Sequence, residues 1–305
     1  MREILSKFLS EKAKLNSNLY VFSGDHGYAL FDELRKTKPN QFINAGVSEQ
    51  AMVGYAAGMV KEGMKVFVYG LSAFVPIRVL EFIKMDVCYE NLPVIFLGDG
   101  AGLVYATLGA SHQCAEDIGC LRTLPNMRIY SPADPFEMKA CLEDAYSSNS
   151  PCYIRIGKAD KARVHNQHFT LIPDQIISII RRNSDTCIIS TGSMLSVSLE
   201  LSAKYNFSVF SAPILTNLDS EILISEISSY KNIISIEEHS INGGLGSILS
   251  EILSESGNAN NQRLLRIGIQ NRFTQKCGSY EYAIKEHGLD FSSIEEKLKQ
   301  KCLIR

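Results

Sequence analysis

Short, nearly unbroken apolar runs recur along the chain, and between most of them apolar residues return every three or four positions. In the first half these runs fall at residues 19–22, 65–69, 93–97, 127–130 and 152–156. Runs of this length without apolar–polar alternation predict strands buried on both faces, and the intervening helical patterns predict a mostly parallel sheet flanked by helices. From 157 to 173 the pattern lapses into polar residues, among them Lys158, Lys161, Arg163, His165 and His168. It then resumes with runs at 186–190, 208–210, 232–236 and 264–267. The whole chain therefore reads as α/β in two domains, each a mostly parallel sheet with helices: residues 1–160, a linker over 161–172, and a smaller domain over 173–305.

Two helices are marked by their ends. Asp134 followed by Pro135 supplies an N-cap acid and a proline at the first helical position, predicting a helix that runs to about Ser147. In the other, Ser48 is the expected N-cap, Gly63 the expected stop, and Met52, Tyr55, Ala56 and Met59 share one face. Glu49 falls in its first turn. An acid there complements the helix dipole, worth about 0.3–1 kcal/mol, or it does chemistry. The Gly and Ala residues of this helix suit it to a close approach by another element.

Composition narrows the classes of function. With 305 residues, 45% of them hydrophobic, and a formal net charge of −2, the chain can bury a sizeable core and has no basic excess for nucleic acid. No apolar run approaches the roughly eighteen residues of a membrane span, and the N-terminus lacks a signal-peptide core, so a cytoplasmic protein away from membranes is expected. The eight cysteines are scattered with no Cys-x-x-Cys, which favours reduced core thiols over disulfides or a metal site.

The stretch Asn44-Ala45-Gly46-Val47-Ser48-Glu49-Gln50, followed by a Gly/Ala-rich helix, resembles the pyrimidine-binding domain of transketolase-type enzymes that depend on thiamine diphosphate. The resemblance implies that Glu49 hydrogen-bonds N1′ of the cofactor's aminopyrimidine. A carboxyl group sharing a proton with N1′ favours the imino form of the neighbouring 4′ nitrogen, the base that removes the thiazolium C2 proton. Asp25, within Ser23-Gly24-Asp25-His26-Gly27, matches a family aspartate near the thiazolium, although a plain turn residue fits there too. His26 is held as a substrate contact.

In Tyr69-Gly70-Leu71-Ser72-Ala73-Phe74-Val75-Pro76-Ile77-Arg78 the resemblance implies that Phe74 stacks on the aminopyrimidine and that Arg78 sits beside the same pocket. Leu71 stands where the family often has a further aromatic. Gly98-Asp99-Gly100 looks like the start of a diphosphate-binding motif, with Asn126 downstream, but it falls where the family's pyrimidine domain has a glycine-rich loop and is rejected as such. Leu108-Gly109-Ala110-Ser111-His112 stands where Asp-Gly-Pro-Thr-His is common. His112 is therefore the residue expected to face the sugar, hydrogen-bonding a hydroxyl or the donor carbonyl oxygen or moving a proton between them, with Gln113 beside it, and Leu108 departs from the pattern. Lys158 lies near a family arginine that grips a sugar phosphate; lysine offers a point charge without arginine's fork.

The second half resembles the transketolase C-terminal domain, above all at Ile236-Glu237-Glu238-His239 and Gly243-Gly244-Leu245-Gly246. The glycines there are read as backbone geometry, since the full nucleotide fingerprint is missing, and His239 as a structural or interface residue. The diphosphate-binding domain has no counterpart in the chain. The resemblance thus implies one half of a split enzyme, whose N-terminal transketolase subunit supplies the ligands for the diphosphate and for Mg²⁺ or Ca²⁺, in an α2β2 heterotetramer acting on sugars or sugar phosphates. The implied reaction moves a two-carbon ketol unit from a ketose to an aldose. The rivals are a 1-deoxyxylulose-5-phosphate synthase or 2-oxo acid dehydrogenase β-type subunit, a non-catalytic regulatory subunit, and a self-sufficient enzyme.

Overall fold

A computed structural model describes residues 1–158, 164–172, 174–256 and 262–304. The domain limits expected at 160, 161, 173 and 305, together with Lys161 and Arg163, lie outside the described residues. Six strands, β1 (Leu19–Ser23), β2 (Phe42–Asn44), β3 (Lys65–Leu71), β4 (Ile95–Asp99), β5 (Arg128–Tyr130) and β6 (Cys152–Ile156), form one sheet. Its order is β2-β1-β3-β4-β6-β5 and every pairing is parallel. The strands β7 (Ile177–Ile180), β8 (Thr186–Ser190), β9 (Ser208–Ser211), β10 (Asn232–Ser240) and β11 (Arg263–Ile269) form a second sheet in the order β11-β10-β8-β9-β7, in which only β7 runs antiparallel.

The absence of alternation in β3 has a direct structural cause. Val66 and Val68 face one layer, with Val53, Ala56 and Val60 of the helix Glu49–Lys61. Phe67 and Tyr69 face the other, with Leu5 and Leu9 of the helix Arg2–Leu15 and Met138 and Leu142 of the helix Pro135–Ser147. Both faces are covered, and each buried side chain of this size contributes about 1.5–3 kcal/mol. The first layer continues through Ile118, Leu121 and Leu245 to Cys187, Ile189 and Phe210, so the two sheets share one apolar cluster.

Asp134 caps the helix Pro135–Ser147 through the Phe136 and Glu137 amides, both at 2.9 Å. The helix Glu49–Lys61 departs from expectation in two ways. Ser48 stands at its N-cap position, but its hydroxyl donates to the Ala45 carbonyl rather than capping. The buried face is Glu49, Met52, Val53, Ala56, Ala57 and Val60, and Tyr55 points out at 60% exposure. Gly63 adopts φ +82° just past the helix end.

The strand β10 is longer than its apolar run. Glu237, Glu238 and His239, which follow the apolar run, are strand residues and fully buried. No helix among the described residues is long and apolar enough to cross a membrane. The cysteines are unpaired, with Cys88, Cys114, Cys141, Cys152 and Cys187 buried.

Candidate functional site

In an open parallel sheet the loops at the carboxyl ends of adjacent strands form one rim, and that rim is where ligands bind. Here β2, β1, β3 and β4 are neighbours, and the segments that follow them carry Glu49, then Asp25 and His26, then Phe74 and Arg78, then His112. The fold thus gathers onto one edge residues scattered over nearly ninety positions of sequence.

Glu49 is 2% exposed. Its Oε2 accepts a bond from Arg78 Nη1 at 3.1 Å, whereas its Oε1 is buried and has no partner. A buried carboxylate oxygen without a donor is costly, of order 1–3 kcal/mol or more, and calls for a missing group. Gly24 lets the neighbouring loop come close: a Cβ there would lie 3.4 Å from the Gly46 carbonyl oxygen and 3.8 Å from Glu49 Cγ.

Arg78 also lies over the Phe74 ring, with its guanidinium carbon 4.1 Å from the centroid. Phe74 meets His112 edge-on at 5.4 Å and His26 in a tilted contact at 5.9 Å. Two imidazoles therefore contact the ring that Arg78 links to Glu49. His26 Nε2 is buried without a partner, and His112 Nδ1 lies 3.0 Å from Ser111 Oγ. Asp25 is exposed and adopts φ +60°, a conformation that an aspartate tolerates better than most residues. It accepts bonds from Asn44 Nδ2 at 3.1 Å and Tyr28 Oη at 3.3 Å, so Asn44 joins the loops after β1 and β2.

Two of the sequence-predicted residues have partners outside this group. Lys158 lines a small cleft of about 190 Å³ with Arg2, Asp99 and Tyr105, and its ammonium lies 5.6 Å from the Tyr280 ring. Gln113 is buried, and its Oε1 accepts from Thr274 of the second domain at 2.6 Å. Asp99 is occupied structurally: Tyr69 Oη at 2.8 Å, Tyr105 Oη at 3.1 Å and the Arg2 guanidinium all donate to it. Asn126 is turned away to the Cys88 carbonyl, in keeping with the rejection of a diphosphate motif at residues 98–100.

A second polar cluster at the junction of the two sheets was not foreseen. Arg155 Nε donates to both Asp117 oxygens, at 3.1 and 2.8 Å, and its Nη2 reaches the Glu238 carbonyl at 2.7 Å. Glu238 accepts from the Leu103 amide at 2.7 Å, from Tyr280 at 2.6 Å and from Ser193. Glu237 takes the Leu245 and Gly246 amides that open the helix Leu245–Glu255, and burial pushes its carboxyl up to about 7. Burial holds His239 down at about 4. Its Nδ1 lies 2.7 Å from the Ser240 carbonyl and its Nε2 accepts the Gly119 amide, which fixes the neutral tautomer with the proton on Nδ1. The sequence signal was the run of two acids and a histidine after five strand residues, which could have been read as buried charge in need of partners.

Residues 1–162 match the transketolase pyrimidine-binding domain, and residues 177–294 match the transketolase C-terminal domain. An apulose-4-phosphate transketolase subunit of Actinobacillus succinogenes is 31% identical over 264 residues, which cover 85% of this chain and 84% of that protein. 1-Deoxy-D-xylulose-5-phosphate synthase of Haemophilus influenzae is 32% identical over 87% of this chain, but the match spans only 42% of that longer protein. The solved structure of a split gene transketolase, an inactive beta4 tetramer, superposes with a TM-score of 0.88 at 27% identity, covering 98% of this chain and 97% of that one. The chain therefore belongs to the transketolase family, whose members use thiamine diphosphate, and corresponds to the C-terminal subunit of its split form.

Proposed function

We propose that this chain is the C-terminal subunit of a two-component transketolase that moves a two-carbon ketol unit from a ketose donor to an aldose acceptor. The observation that carries the reading is the buried, partnerless Glu49 Oε1, whose other oxygen is held by the same arginine that covers the Phe74 ring. A flat heterocycle with a protonatable ring nitrogen fits there: the carboxylate oxygen takes the nitrogen and the aromatic ring packs against the heterocycle's face. Thiamine diphosphate, when bound, would supply the nucleophilic carbon needed for ketose cleavage and two-carbon transfer.

In this reading Glu49 holds the proton at the ring nitrogen, and Arg78 fixes the carboxylate through its other oxygen. Phe74 and Arg78 wall the pyrimidine pocket. Asp25 faces the thiazolium side. His112 moves a proton on the substrate, while His26, Gln113 through its free amide nitrogen, and Lys158 as a point charge contact the sugar or its phosphate. Diphosphate and metal ligands, for Mg²⁺ or Ca²⁺, come from an N-terminal transketolase subunit. The working divisions are a pyrimidine domain over 1–160, a linker over 161–172 and a C-terminal domain over 173–305. The surface for the partner is the helix Glu49–Lys61 together with the helical segment 80–88, where Tyr55, Phe82 and Met85 are exposed, with Tyr89 just beyond. A related split protein is described as an inactive β4 tetramer. This chain is accordingly assigned no activity alone and an α2β2 assembly, in the cytoplasm, with its partner.

The match to 1-deoxy-D-xylulose-5-phosphate synthase favours a second reading, condensation after decarboxylation of a 2-oxo acid. One assay separates the two. The chain is mixed with an N-terminal-type transketolase subunit, thiamine diphosphate and Mg²⁺, and offered a ketose with an aldose, or a 2-oxo acid with an aldose. Ketol transfer by the pair alone supports the proposal. Carbon dioxide release without ketose cleavage establishes the second reading, and activity of the chain by itself overturns the split assignment.

A further inference from the structure

The loop that carries His112 does not stand by itself. Residues 106–113 are backed by a segment of the second domain that begins just after β11. The Gly278 amide donates to the Ala106 carbonyl at 3.3 Å, and a Cβ on Gly109, which adopts φ +74°, would lie 2.8 Å from Cys277 Sγ. Between these contacts Thr274 Oγ1 donates to Gln113 Oε1 at 2.6 Å. An amide oxygen can only accept, so the same hydroxyl must accept from His287 Nε2, 3.0 Å away. The chain of donors runs one way, from His287 through Thr274 to Gln113, the residue next to His112. Arg272 ties this segment to Glu286 at 2.9 Å, and the Gln275 amide binds the same carboxylate at 2.8 Å.

We propose that Thr274, with His287 behind it, is a positioning residue of the active site: the second domain acts as a strap that holds the His112 loop against the Phe74 ring. Resting on the transketolase reading, this gives the C-terminal domain a part in the chemistry although none of the cofactor-facing residues named above lies in it. Gln113 has one amide atom committed to the strap, and its Nε2 is buried without a partner. The Thr274 hydroxyl is bonded to Gln113 and His287, and to neither Glu49, Phe74, Arg78 nor His112, so its effect must pass through the loop.

The test compares Thr274→Val, which keeps the shape and removes the hydroxyl, with Thr274→Ser, which restores the hydroxyl. Backbone hydrogen exchange is read on the full-length chain, and steady-state kinetics on the reconstituted pair. Loss of this bond should speed exchange in residues 109–113 about fivefold without changing exchange in the helix Glu49–Lys61. It should lower kcat by a similar factor at unchanged affinity for thiamine diphosphate, and Thr274→Ser should recover both. Exchange that stays at the wild-type rate, or that rises everywhere together, overturns the strap. If exchange responds as expected while the wild-type pair transfers no ketol unit, the strap stands and the functional reading falls.

Discussion

Two clusters of buried charge sit about the first sheet, and they differ in one respect. Glu49 and Glu238 are equally buried, at 2% and 1% exposure. At the junction both oxygens of Glu238, both oxygens of Glu237 and both ring nitrogens of His239 have partners. At the rim Glu49 Oε1 and His26 Nε2 have none. Burying a polar group is tolerable when it is hydrogen-bonded and expensive when it is not. The satisfied cluster is therefore architecture, joining the two sheets, and the unsatisfied one is a site that something else completes. Burial alone would have ranked the two alike.

The contrast is most sharply broken at Glu49. Glu49→Gln keeps the shape and one hydrogen bond but cannot share a proton with the heterocycle. In the reconstituted pair it should lower kcat by about 10²–10⁴-fold while the unfolding midpoint of the chain stays at or above the wild-type value. A fall in stability with activity retained would make Glu49 an architectural residue after all.

Arg155→Leu is the converse experiment. It leaves Asp117 buried and facing no cation, so chemical denaturation should show a loss of about 3–5 kcal/mol. A stable variant with impaired turnover would move this cluster into the site.

A smaller effect separates the two halves of the junction. Glu237 sits near 7, above its ordinary 4.5, so it favours the folded state at low pH and loses that contribution as pH rises through 7. His239 sits near 4, below its ordinary 6.5, so its contribution is present above 6.5 and lost as pH falls through 4. Between 4.5 and 6.5 the two slopes oppose each other. Glu237→Gln should expose the histidine's slope, a loss of roughly 1 kcal/mol per pH unit on acidification relative to wild type. Urea unfolding at several pH values reads it directly; parallel curves for the two proteins would refute the assignment.

The central strands were legible because their apolar runs are covered on both faces, as in β3 and β4. The edge strands β2 and β7 were not. The strand β2 has three residues, and β7, with Ser178 exposed, pairs only with β9. Both are held by pairing with a neighbour rather than by a hydrophobic pattern of their own. Periodicity put Tyr55 on one face with Met52, Ala56 and Met59, but the face that packs is turned toward Val53, Ala57 and Val60. In the site, Glu49, Phe74, Arg78 and His112 could be named from local motifs and the family they resemble. That Arg78 would grip Glu49, or Thr274 reach Gln113 across 161 positions, depends on how distant loops meet, and no local pattern records that.

Gly244 and Glu237 offer a last consequence, for how the chain can change over generations. A Cβ at 244 would fall 1.9 Å from Glu237 Oε2 and 2.6 Å from His239 Nδ1. Any larger residue at 244 therefore collides with both the acid and the histidine, and losing the acid alone leaves two helix amides without their acceptor while the histidine still fills the space. Position 244 is thus locked to glycine by two neighbours at once: a lineage can enlarge it only after both 237 and 239 have given way, and until then every such intermediate is barred by steric overlap.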